Sequence, residues 1–144
     1  MLDSRLDASF RLLHLIYGLV PIVAGLDKFT NLLADWSGYL APWLAAALPF
    51  SPETFMALVG VIEIAAGILV LVRPRIGAYV VSAWLVAIAL QLILGGRHFD
   101  VAVRDLVMAS GAWVLARMAA LRETSAAREP STAAVGASRQ AART

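Results

Sequence analysis

Four runs of apolar residues dominate the chain. Each is about as long as a bilayer-crossing helix, which needs roughly 20 mostly apolar residues. The first runs from Phe10 to Phe29, with an apolar centre from Leu15 to Leu26. The second, Phe55 to Val72, contains a single charged residue, Glu63. The third, Ile76 to Leu94, is uncharged. The fourth, Val101 to Leu121, opens on Arg104 and Asp105 and closes near Arg117. Its uncharged centre, Leu106 to Ala116, is short, so it spans only with both flanking arginines snorkelling to the interfaces. The pattern predicts an all-α fold: a transmembrane four-helix bundle over residues 1–121, with spans at about 10–29, 55–72, 76–94 and 101–121.

The first two spans are joined by Thr30 to Thr54, which carries Trp36, Tyr39 and Trp43 at one-face helical spacing. Pro42, Pro49 and Pro52 interrupt it. Trp and Tyr favour the headgroup zone. The segment reads as a broken interfacial helix, a lid on the bundle, or an aromatic belt with no further duty. Beyond Glu123 the chain turns to Ala, Ser, Thr and Arg, and Val135 is its only large apolar residue. Residues 122–144 are therefore expected to form a disordered cytoplasmic tail. The first run is read as a retained helix. Met1–Arg11 holds Asp3 and Asp7 besides its two arginines, and Ala24-Gly25 leads straight into Asp27-Lys28 without an A-x-A site.

Composition agrees with a membrane. The chain is 60% hydrophobic and 15% charged, with a mean hydropathy of +0.77; soluble domains lie near 45–50% apolar and about 25% charged. The absence of cysteine excludes a disulfide framework, a thiol nucleophile, an iron–sulfur cluster and Cys-ligated zinc. The pI near 9.5 comes with a net charge of only +2, so nucleic acid is not an expected partner. With four spans the termini share one side, and nine of the twelve Arg and Lys residues lie there. Lys28, Arg97 and Arg104 lie opposite. By the positive-inside rule the termini are cytoplasmic, in a bacterial inner membrane, with Arg73-Pro74-Arg75 as a tight cytoplasmic turn.

Ionisable residues at bilayer depth are costly and point to function. Glu63 lies about 13 Å into its span, on one face with Gly60, Ala66 and Gly67. It is either a proton carrier, a ligand-binding carboxylate or the fixed partner of a neighbouring cation. Lys28 and Arg104 are the candidate cations. Lys28 lies on the stripe Gly18, Pro21, Gly25; Arg104 is preferred because a guanidinium binds a carboxylate through two hydrogen bonds. Gln91, His98, Asp100 and Asp105 also fall in the outer half. Lys28, Glu63, Gln91, His98, Asp100, Arg104 and Asp105 thus either line a polar cavity open outward or form a salt-bridge network. His14 and His98 lie at opposite ends of the bundle and cannot ligate one haem. No metal-ligand spacing occurs, and no catalytic residues are assigned. No nucleophile–base pair can be assembled, so a stand-alone enzyme is not expected.

Gly25-x-Asp27-Lys28-Phe29 ends the first helix, and Gly60-x-x-Glu63-x-x-x-Gly67 marks the second. An arginine-bearing turn follows, then His98-Phe99-Asp100 before Arg104-Asp105. Over residues 8–121 this resembles the DoxX-like family of small four-helix bacterial membrane proteins, named for a subunit of an archaeal thiosulfate:quinone oxidoreductase. The resemblance implies a membrane subunit of a redox assembly. It also implies a protein partner in that assembly and quinone as the linked cofactor, none being bound covalently. The alternatives are a purely structural accessory subunit and a small-solute or proton carrier using Glu63.

Overall fold

Prolines and a buried carboxylate set the helix boundaries. The computed structural model describes residues 2–141, with side chains over 6–126. Helix α1 (Leu2–Asp27) is followed by a 3₁₀ turn (Trp36–Tyr39) and the short α2 (Pro42–Ala47). Then come α3 (Pro52–Val72), α4 (Pro74–Leu94) and α5 (Phe99–Ala141). Pro42, Pro52 and Pro74 each start a helix, where a missing N–H costs nothing. Ser51 caps α3 by accepting from the Thr54 N–H at 3.3 Å. The described residues contain no strand.

Two close crossings build the bundle. α1 packs on α3 through facing glycines: a Cβ on Gly67 would stand 2.5 Å from the Gly18 carbonyl oxygen. α4 packs on α5 through small buried residues, among them Ala78, Ala89, Ala102, Ala109 and Ala112. Small residues let backbones approach where burial from lipid supplies little driving force. Backbone carbonyls bond side chains across these seams. The Ser82 hydroxyl donates to Ala109 O at 2.8 Å and His14 Nε2 to Val70 O at 2.9 Å, while the Tyr17 hydroxyl ties α1 to α5 by donating to Met108 O at 2.7 Å. Leu115 and Val70 are fully buried in the core between them.

Three helices are long and apolar enough to cross a membrane: Leu6–Asp27, Pro52–Val72 and Pro74–Leu94. Leu12, Leu19, Val23, Ile62, Ile68 and Leu90 on them face outward. The fourth expected span, 101–121, is not of this kind. It lies within α5, where Arg104, Asp105 and Arg117 break the apolar run. Nor does the helix stop at Leu121. Over 122–126, where disorder was expected, it continues with exposed side chains. Ala, Arg and Glu are strong helix formers and need no buried face to extend an existing helix. The tail side chains from 127 onward lie outside the described residues.

Candidate functional site

The site begins at the end of α1. Gly25 and Gly60 bring α1 and α3 so close that a Cβ on Gly60 would lie 3.2 Å from Lys28 Cβ. From there the ammonium reaches Glu63, with Nζ 2.6 Å from Oε2. The two side chains are only 5% and 10% exposed. A buried pair of this kind is tolerated when geometry is close and the remaining polar sites are covered. Trp36 provides that cover: Lys28 Nζ sits 3.7 Å from its ring centroid. A cation over an indole face is attracted by the ring quadrupole, most strongly when desolvated.

Asp27 holds Trp36 in place. Its carboxylate accepts from Trp36 Nε1 at 2.7 Å, from the Leu32 N–H at 2.9 Å and from the Leu33 N–H at 3.1 Å. The Thr30 hydroxyl adds a fourth bond at 3.0 Å. One buried carboxylate thus folds the chain back over its own helix end. Gln91 fixes the far side of the same segment. Its Nε2 donates to Tyr39 O at 3.0 Å and its Oε1 accepts from the Ala41 N–H at 3.1 Å. The Tyr39 ring packs against that of His98, tilted by 50° with centroids 4.7 Å apart. Trp36 and Tyr39 lie over this end of the bundle, as a lid would, while Trp43 is half exposed at the surface.

The polar residues at this end of the bundle do not line one chamber. Lys28, Glu63 and Asp105 are buried; His98, Asp100 and Arg104 are exposed on the rim. Glu63 pairs with Lys28, not with the preferred Arg104. Successive residues on a helix point about 100° apart, so Asp105, turned inward, sends Arg104 out. Asp105 is 7% exposed and lies within electrostatic reach of Arg104, Glu63 and Lys28. Its carboxylate makes no hydrogen bond or ion pair with another described residue. The cavity beneath the lid is about 10 Å³, bordered by Tyr39, Ala41, Leu92, Gly95 and His98. That is room for about one water.

Two roles escaped the sequence reading. Asp27 is the hub of the lid, and Trp36 is the cover of the ion pair. A signal for Asp27 existed: a carboxylate at a helix C-terminus opposes the macrodipole and needs another duty. Among the described residues no group of acidic and histidine side chains is arranged to hold a metal ion. No family model, curated protein or solved structure matches the chain.

Proposed function

We propose that this chain is an integral membrane subunit that anchors a partner protein in a membrane assembly. In this reading all four long helices cross the bilayer and both termini are cytoplasmic. Arg104 and Arg117 snorkel from α5, and Asp105 is shielded inside the bundle. The observation that carries the reading is the closed outer end. Lys28 and Glu63 satisfy each other beneath Trp36, and the cavity beside Tyr39 and His98 at the same end is about 10 Å³. Small-molecule pockets occupy roughly 300–1,000 Å³. What the chain offers is its surface: apolar helix faces and an α5 of 43 residues, about twice the length of α3 or α4.

The redox and quinone-linked character of the assembly rests on the resemblance to the DoxX-like family. A cavity of about 10 Å³ is too small for a quinone ring, so in this reading any quinone sits at the interface with the partner. A proton or solute carrier is the second reading. It is favoured by Asp105, a buried carboxylate with no hydrogen bond to a described residue.

Gentle extraction from native membranes, followed by identification of bound proteins and lipids, tests the choice. An oxidoreductase that co-purifies and loses membrane attachment when this chain is deleted is the expected result. A chain that purifies alone and moves protons or solute in liposomes overturns it in favour of the carrier.

A further inference from the structure

The end of the bundle opposite the lid carries a groove that the anchoring role leaves unused. The turn between α3 and α4 reads Val72-Arg73-Pro74-Arg75-Ile76, and α5 passes beside it. Between them lies a groove of about 610 Å³, lined by these five residues and Glu123. Its lips are aliphatic: Val72 is 72% exposed and Ile76 49%. Its walls are charged. Arg75 Nη1 donates to Glu123 Oε2 at 3.0 Å. Arg73 is exposed, and its guanidinium makes no hydrogen bond or ion pair with another described residue. Two guanidinium groups and one carboxylate leave a single positive charge.

We infer that this groove binds the headgroup phosphodiester of an anionic phospholipid, with Arg73 as its principal contact and Arg75 as the second. The inference rests on the membrane reading above. Four features converge on that ligand. The groove lies where two bilayer-length helices end, which is headgroup depth. Its one net positive charge matches one phosphodiester monoanion; a zwitterionic headgroup would leave that charge uncompensated. Exposed Val72 and Ile76 give acyl chains a surface beside the phosphate, which a free phosphate ester would leave unused. The Arg75 and Ile76 N–H groups in the first turn of α4 carry no backbone bond, so the helix end adds donors of the right sign.

The test uses the full chain in nanodiscs made with equal amounts of phosphatidylglycerol and phosphatidylcholine. Lipids retained on gentle release are counted by native mass spectrometry. Phosphatidylglycerol should be retained in preference. Each surface arginine contributes on the order of one kcal/mol to anionic-lipid attraction. Arg73→Gln with Arg75→Gln should therefore weaken retention roughly 30-fold. Glu123→Gln, which frees Arg75 and keeps both cations, should strengthen it roughly 5-fold. This second variant reads the site even if the double change misfolds. Equal retention of the two lipids, or no gain in Glu123→Gln, overturns the inference. Displacement by excess glycerol 3-phosphate also overturns it and reassigns the groove to a free phosphate ester. A chain that does not insert into bilayers defeats the membrane reading instead; one that inserts without lipid preference defeats this inference alone.

Discussion

Gly25 and Gly60 meet backbone to backbone where α1 crosses α3. A Cβ on Gly60 would stand 2.6 Å from the Gly25 carbonyl oxygen, and one on Gly25 would stand 2.5 Å from that of Gly60. This approach decides the chemistry one turn away, because it brings Lys28 within reach of Glu63. A methyl group at either glycine must push backbone, not a flexible side chain. Gly60→Ala should therefore cost about 1–3 kcal/mol as overpacking. Gly38→Ala, whose nearest neighbour would be 3.8 Å away, should change stability by less than roughly 0.5 kcal/mol. Thermal unfolding in a mild detergent checks both. Equal effects would mean that the crossing tolerates a side chain.

The ion pair yields a second prediction. Glu63→Ala leaves an ammonium buried under Trp36 and should cost about 3–5 kcal/mol. Lys28→Met alone should cost a similar amount, by stranding the carboxylate. Lys28→Met combined with Glu63→Gln should recover part of either loss, because no unpaired charge stays buried. Arg104→Gln, on the exposed side of α5, should be nearly neutral. The same unfolding measurement applied to this series checks the pairing. A large cost for Arg104→Gln and a small one for Lys28→Met would reverse the assignment.

The helices were legible because their signals are local. The apolar runs 55–72 and 76–94 fall within α3 and α4 and share their last residues, and Pro52 and Pro74 stand where the two helices begin. The inward stripe of Gly18, Gly25 and Lys28 was also legible, since 3.6-residue periodicity puts them on one face. The choice between Lys28 and Arg104 was not. Bidentate chemistry favours arginine in general, but which of Arg104 and Asp105 faces inward depends on how α5 rotates against α4. That rotation is set by Ala102, Ala109 and Ala112 packing into the seam, a tertiary fact that no single residue announces. The lid was illegible for a related reason. Trp36 and Tyr39 carry the spacing of an interfacial belt, and only the bonds from Asp27 and Gln91 turn them inward.

Topology is open to a direct check. The arginine bias predicts cytoplasmic termini and an external segment between α1 and α3. A reporter fused after Thr144 should be active in the cytoplasm. One inserted near Pro49, in an exposed stretch of the lid segment, should report the opposite side. Both reporters on one side would remove a span from the bundle. α5 would then be the first candidate, since it is the long helix with the most interrupted apolar run.

Lys28 is the chain's one lysine, which makes the lid measurable. An amine-reactive ester can modify Lys28 and the N-terminal amine, and peptide mass separates the two. In the folded protein Lys28 is 5% exposed at its side chain, ion-paired and covered by indole, so it should resist modification until the lid opens. A desolvated cation–π contact is worth about 2 kcal/mol. Its loss in Trp36→Ala should raise the opening-limited labelling rate roughly 30-fold. Trp36→Phe keeps a ring over the ammonium but loses the bond to Asp27, so it should fall between wild type and Trp36→Ala. Trp113→Ala, on the exposed face of α5, should leave the rate unchanged. An impermeant ester added to intact cells should reach Lys28 of the Trp36→Ala variant only from the external side. Equal labelling of wild type and Trp36→Ala would mean that Trp36 rests on the pair without closing it, and the closed outer end on which the anchoring role is argued would be lost.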